Sequence, residues 1–533
     1  MSAMLAVAAG SVAQTIDLPY CEETVSTNTI LRSIERSDTA TVIHYTFVHQ
    51  PGYWCSLDDM ELVGNNTGKV YRIRRVDGYQ PGEKKYMPRS GRFDFTITFP
   101  AIDSADTAVD MIEVESDGAR YAVRKGVDIT GALPVCSYAT HITGTYEGTA
   151  GYVGLRKAGP ERNAKTILIP VDDGKFEYTL ASDELLAYDI INGPNLFIGS
   201  WSARTIFSEN ADISVDFKLG ENSGGEDGIQ FHDISVYPPA RSLTADLMHI
   251  RNVVNHEAPA ISHVRSLKQE RKYYVPEYYE FEARAKRHPE QRDSLVAELF
   301  SRYTEQTVMT AEGAKADSAA RHYMINERPR VLCDLAVKMD NLAGLYAIVH
   351  EAYFSEDTAP LVEAYLKGYE GRYPESEYAI YMNKLAGTSE IAPGLPFNDF
   401  SAVDFEGNSH TLSALIKGKP ALLDLWASWC GPCRRTSMSM IPVYEKYADK
   451  GFTIVGVARE YTDSKAAAEA IAKDGYKWLN LIEIDDSNGI WALYRRHNAA
   501  GGTFLISPEG KIVKTDVTAD EVRDYLKTLY ESE

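Results

Sequence analysis

The sequence predicts a multidomain chain of two β-rich, sandwich-like N-terminal domains, a helical middle region and a C-terminal α/β domain. Three observations carry this. Apolar residues alternate with polar ones through much of residues 22–238, the spacing changes to three or four between 240 and 387, and short apolar runs alternate with helical patterns after 391. A length of 533 residues accommodates about three or four domains. Hydrophobic residues at 44% and charged residues at 25% are ordinary globular values, so the chain is not wholly disordered, collagen-like or coiled coil.

The first β-rich domain spans 22–135. Arg92 to Phe99 alternates without a break, as do Ile43, Tyr45 and Phe47, while Asn65-Asn66-Thr67-Gly68 and Val76-Asp77-Gly78 supply turns. The second spans 138–238. Its strands include Thr166 to Val171 and Lys175 to Leu180, and Asp172-Asp173-Gly174 between them predicts a hairpin. Glu221 to Gly228 is Gly-rich, but no Gly-Lys-Ser/Thr follows, so it reads as a solvated loop rather than a phosphate cradle. In 240–387, Leu295, Leu299 and Tyr303, then Leu342, Leu345 and Val349, then Leu361, Tyr365 and Tyr369 mark amphipathic helices. His249, His256, His263 and His288 lack the spacing of a zinc helix, and no metal is expected.

Residues 388–396, with two prolines, form a linker into the last domain, 391–533. Ala421 to Trp426, Phe452 to Ala458 and Thr503 to Ile506 read as interior strands of a sheet covered on both faces. Thr518 and Glu521 make a capping box, and Val522, Tyr525, Leu526 and Leu529 an apolar stripe, for a final helix.

Lys+Arg 55 against Asp+Glu 76 gives a net charge of −21, which argues against nucleic acid or anionic membrane as a partner. No apolar run is long enough for a membrane span. Met4 to Ala13 is short and apolar and ends in Ser11-Val12-Ala13, so residues 1–13 read as a secretory signal peptide, although Met1-Ser2-Ala3 brings no basic residue. Export to the periplasm or cell envelope is the expectation. Of the six cysteines, Cys21, Cys55, Cys136 and Cys333 are scattered. Cys333 falls in a helical pattern and reads as a buried thiol, while Cys55 and Cys136 are left either paired or free.

Chemistry concentrates in Trp429-Cys430-Gly431-Pro432-Cys433, directly after the strand Ala421 to Trp426. A helix opening at this motif places Cys430 where free N–H groups and partial positive charge favour a thiolate, the nucleophile of disulfide exchange. Cys433, one turn deeper, is placed to attack the resulting mixed disulfide. Pro432 presets the first helical turn. Asp424 is a carboxylate in an otherwise apolar strand, and burial without partners is costly. Its spacing from the motif suits it to exchange a proton with Cys433. A half zinc site would need a second Cys/His pair, and none has the spacing.

The segment Leu423 to Cys433 is very similar to the active-site segment of thioredoxins, and 391–533 resembles the TlpA/ResA type of exported bacterial thioredoxin-like proteins. Pro393-Gly394, Phe397 and Asp404 to Gly407 are similar to that group's opening strand and turn, and Thr503 to Lys511 to its late hairpin. The 138–238 region, through Ile169 to Phe176, more weakly resembles a domain fused ahead of such modules in exported Gram-negative proteins. The resemblance implies a thioredoxin fold and a thiol–disulfide oxidoreductase. In it Cys430 attacks, Cys433 resolves and Asp424 carries the proton, while Trp429, Gly431, Pro432, Ala500 and Gly501 meet the substrate. It further implies no cofactor beyond the redox-active disulfide. The partners would be protein thiols and disulfides and an upstream thiol reductant, and the setting a Gram-negative periplasm or envelope. One departure stands out: Gly501 occupies the place of the group's cis-proline. That favours, as the alternative, a binding or scaffold protein with a redox-weak docking module. Leu423 and Ala427 stand where a peroxiredoxin carries proline and threonine, against peroxide chemistry.

Overall fold

The computed structural model describes residues 14–531 apart from 25–27, 133–134, 160–165, 194–202, 221–231, 305–306, 356, 388–390 and 497–498. The expected signal peptide, the Glu221 to Gly228 loop and the first part of the linker lie outside the described residues. The chain falls into two compact units, Met1–Ala158 with Ala164–Ala245, and Asp246–Glu533 with Gly159–Asn163.

The first unit is the β-rich region. Two five-stranded sheets share one core, to which Ile43, Tyr45, Phe47, Phe95, Ile97 and Phe99 contribute from one sheet and Met60, Leu62, Val109 and Met111 from the other. The strands Ala40–Val48 and Arg92–Pro100 pair antiparallel, with Tyr45 opposite Phe95 and Ile43 opposite Ile97. Alternation thus converts directly into one buried face. Two four-stranded sheets share a second core that includes Ile142, Val215 and Phe217 against Val153, Ile169 and Ile190.

The Asp172-Asp173-Gly174 hairpin is corrected. The turn exists: Asp172 and Lys175 exchange two backbone hydrogen bonds of 2.9 Å, with φ of 50° at Asp173 and 71° at Gly174. Its flanking strands do not pair. Thr166–Pro170 pairs with Tyr152–Lys157, whereas Lys175–Ser182 pairs with Tyr138–Tyr146 in the other sheet. The turn passes the chain from one sheet to the next.

In the second unit, helices make up most of the described residues of 246–386. Leu295 and Leu299 are buried in Arg292–Phe300, but Tyr303 follows that helix's end. The helix Leu342–Phe354 is not amphipathic. Nine of its residues are buried, because Arg328–Met339, Ala359–Gly368 and Glu377–Ala386 all pack against it. Cys333 is buried in Arg328–Met339, and it, Cys21, Cys55 and Cys136 are all free thiols.

The C-terminal module has a thioredoxin-like α/β fold. Its elements in order are β1 (Ser401–Asp404), β2 (Ser409–Thr411), α1 (Leu412–Ile416), β3 (Ala421–Trp426), α2 (Gly431–Tyr447), β4 (Thr453–Glu460), α3 (Lys465–Asp474), β5 (Leu479–Ile484), α4 (Ile490–Leu493), β6 (Gly502–Ile506), β7 (Ile512–Thr515) and α5 (Ala519–Tyr530). The strands form one sheet in the order β2-β1-β5-β4-β3-β6-β7, with β3 parallel to β4 and antiparallel to β6. Both faces are covered. Leu423, Leu425, Val455 and Phe504 pack with α1 and α4 residues, while Leu422, Trp426, Ile454 and Leu505 pack with Met440 and Val443 of α2 and Val522 and Leu526 of α5. Thr518 and Glu521 cap α5 as expected. Its stripe is narrower than the sequence suggested: Leu529 is exposed, and Tyr530 instead stacks on Tyr447.

Candidate active site

β3 sets the site by parity. Leu422, Asp424 and Trp426 share the face that α2 covers, so the carboxylate points under the motif helix. It is 2% exposed. Burial pushes its carboxyl up to about 7, partly offset by a hydrogen bond from Ser437 Oγ at 2.6 Å. Ser437 Oγ also lies 3.1 Å from the Cys433 carbonyl. A hydroxyl has one proton to give. Ionised Asp424 takes it. Protonated Asp424 donates to the hydroxyl, which then turns to Cys433.

Beyond β3 the chain loops through Ala427 to Trp429 into α2. Cys430 is the N-cap, and the Cys433 N–H donates to its sulfur at 3.1 Å. Cys430 and Cys433 are joined in a disulfide with Cα atoms 5.3 Å apart. Pro432 lies in the first turn, and Gly431 and Pro432 are exposed. Trp429 is exposed and stacks on Tyr461 at 5.6 Å. Cys433, expected one turn deeper, is the more accessible of the two cysteines: Cys430 is 7% exposed, whereas Cys433 is only partly buried. Gly501 is the physical reason. A Cβ there would lie 3.1 Å from the Cys433 sulfur and 2.0 Å from the Leu425 carbonyl oxygen. The backbone comes so close to β3 that only glycine fits, and no side chain shields Cys433. Ala500 is half-buried beside it. The structure thus brings together Asp424, Cys433 and Gly501 around one cavity of 340 Å³, with Pro432 in its wall.

Sequence reasoning missed the groups that hold the motif loop. Glu460, 5% exposed at the end of β4, accepts from the Ser428 N–H at 2.9 Å and from Ser428 Oγ at 3.0 Å. Arg434 donates to the Ser428 carbonyl at 3.2 Å while its Nε and Nη2 donate to Asp474, each at 2.7 Å. The one available signal for Glu460 was the kind that exposed Asp424: a carboxylate closing an apolar strand run. Among the described residues no group of three or more His, Cys, Asp and Glu side chains is arranged to hold a metal, and no helix is long and apolar enough to cross a membrane.

The Redoxin family model matches residues 392–529. The thiol-disulfide oxidoreductase ResA of Bacillus subtilis is 31% identical over 155 residues, covering 28% of this chain and 84% of ResA. The thiol:disulfide interchange protein DsbE of Pseudomonas fluorescens is 34% identical over 148 residues, covering 26% of this chain and 76% of DsbE. The crystal structure of the thioredoxin domain of a thiol-disulfide oxidoreductase from Bacteroides vulgatus is 29% identical, covering 26% of this chain and 98% of that one, at a TM-score of 0.24. With a sulfur pair at the mouth of α2, a buried carboxyl behind it and the ResA and DsbE sequences as relatives, the chain belongs, through its C-terminal module, to the thioredoxin-like thiol-disulfide oxidoreductases of the ResA and DsbE kind.

Proposed function

We propose that the chain is an exported oxidoreductase that reduces or isomerises disulfides of protein substrates and is recharged by an upstream thiol reductant. In the reduced enzyme, Cys430 thiolate attacks a substrate disulfide, forms a mixed disulfide and expels one substrate thiolate. Cys433 gives its proton to Asp424 and attacks the Cys430 sulfur. The Cys430–Cys433 bond closes, the second substrate thiolate leaves, and two electrons have passed to the substrate. Trp429, Gly431 and Pro432 face the arriving peptide on one side, Ala500 and Gly501 on the other.

One observation carries this reading: Cys430 sits at the N-cap of α2 with the Cys433 N–H aimed at its sulfur, an arrangement that favours the thiolate. Export rests on the apolar Met4 to Ala13 segment and its small-residue end, and a periplasm or cell envelope of Gram-negative type on the resemblance of the fused β-rich region. The test is capture. Cys433→Ser should accumulate mixed disulfides with partners and Cys430→Ser should not. If neither variant alters reduction of insulin disulfides, the reading fails. A reduced Cys430 that titrates near the ordinary ~8.5 would favour the scaffold alternative instead.

A further inference from the structure

We propose that the Cys430–Cys433 disulfide is reopened by a small uncharged thiol that enters the cavity beside Gly501 and attacks the sulfur of Cys433. This rests on the dithiol reading above and supplies its reductant by chemical class. The cavity is lined by Cys433 and not by Cys430. Its 340 Å³ has ample room for a thiol of a few heavy atoms. It is open because Gly501 has no side chain to stand over Cys433. Thr436, Ser439 and Thr518 line it together with the carboxyl groups of Asp424 and Asp516, and no Lys or Arg does, so its walls disfavour a carboxylate-bearing thiol.

The chemistry runs the same way as the access. Attack on one sulfur of a disulfide expels the other, and the better leaving group is the thiol of lower pKa. Cys430, at the helix N-cap with an N–H on its sulfur, is the better-stabilised thiolate. Attack at Cys433 therefore expels the favoured leaving group. The incoming thiolate bonds to Cys433 sulfur, the Cys430–Cys433 bond breaks, and its electron pair leaves on Cys430. A second thiol then attacks the small molecule's own sulfur in the mixed disulfide. It releases a symmetric small disulfide and a Cys433 thiolate, which takes a proton from Asp424. Two small thiols are oxidised and one protein disulfide is reduced.

The experiment treats the oxidised full-length protein with 2-mercaptoethanol in the presence of iodoacetamide, quenches with acid and locates the adducts by fragmenting the peptide between Gly431 and Pro432. Mercaptoethanol should sit on Cys433 and the carbamidomethyl group on Cys430, by about tenfold over the reverse. An even split or the reverse pattern overturns the proposal. Thr436→Phe, which fills the cavity, should slow opening by 2-mercaptoethanol about tenfold. If that variant is misfolded, the native protein decides: 3-mercaptopropionate, compared at equal thiolate concentration, should react more slowly than 2-mercaptoethanol, and equal rates overturn the proposal. Adducts on Cys430 with insulin reduction intact remove only this inference, whereas loss of insulin reduction as such removes the proposed function.

Discussion

Asp424→Asn should make the protein more stable, and more so as pH rises. The carboxyl has its pKa pushed from 3.8 to about 7 by burial. Below pH 3.8 both folded and unfolded chains hold the proton and the side chain is neutral for stability. Between 3.8 and about 7 the unfolded chain gives up the proton while the folded one keeps it, so stability falls with rising pH. Above about 7 the full penalty is present. A shift of that size is worth about 4 kcal/mol at ~1.4 kcal/mol per unit. Asparagine keeps an acceptor for Ser437 but brings two N–H donors into a dry site, so the realised gain at pH 8.5 should be about 2–4 kcal/mol, shrinking to almost nothing at pH 4. Urea unfolding of the oxidised full-length protein, followed by tryptophan fluorescence, reads this. Four of the six tryptophans, Trp426, Trp429, Trp478 and Trp491, lie in the C-terminal module. A gap between variant and parent that is the same at pH 5 and 8.5, or a variant less stable at pH 8.5, would refute the reasoning. The same substitution should slow resolution of a trapped mixed disulfide about ten- to a hundredfold if Asp424 is the proton acceptor proposed for Cys433.

Three further outcomes are expected. Glu460→Ala strands the Ser428 N–H and hydroxyl and should cost about 2–4 kcal/mol in urea unfolding, while Glu460→Gln, which can still serve both groups, should recover most of it. Thr518→Ala removes the α5 cap and should lower stability by about 1 kcal/mol in the same assay. Gly501→Ala drives a Cβ to 2.0 Å from the Leu425 carbonyl oxygen, so the β3–β6 contact must open. A loss of about 2–4 kcal/mol is expected by thermal unfolding.

What was legible in the sequence was local. The apolar run of β3 with Asp424 inside it, the cysteines at a helix start and the Thr518–Glu521 box are all specified within a few residues of themselves. The Asp172 turn shows where that stops. The positive φ at Asp173 and Gly174 is a local property, and it formed. Which sheet each flanking strand joins depends on partners ten or more residues away, and the strands parted. The helix Leu342–Phe354 was misread for a related reason: periodicity reveals a buried face only when the opposite face meets water, and here neighbours surround it. Glu460 went unseen because its partner, Ser428, is brought to it by the β3–β4 pairing alone.

The placement of Asp424 depends on its neighbours in the sheet as much as on the helix above it. In register, Asp424 is flanked by Gly456 on β4 and Thr503 on β6, and these side chains share its face. Gly456 offers no bulk, and a Cβ there would strike Asn480 Oδ1 at 2.1 Å. Thr503 spends its hydroxyl on the Val517 carbonyl at 3.1 Å and leaves the carboxyl alone. The row Gly456–Asp424–Thr503 is thus low across its width. That lets Ser437 come down from α2 to 2.6 Å of Asp424 and leaves the cavity beside Cys433 unfilled. A leucine or valine in either flanking position would lift α2 or close the cavity, and the carboxyl would lose its Ser437 contact or its reach to the thiol. The apolar stabilisation forgone along this one row of the sheet sits where the proposed proton transfer takes place.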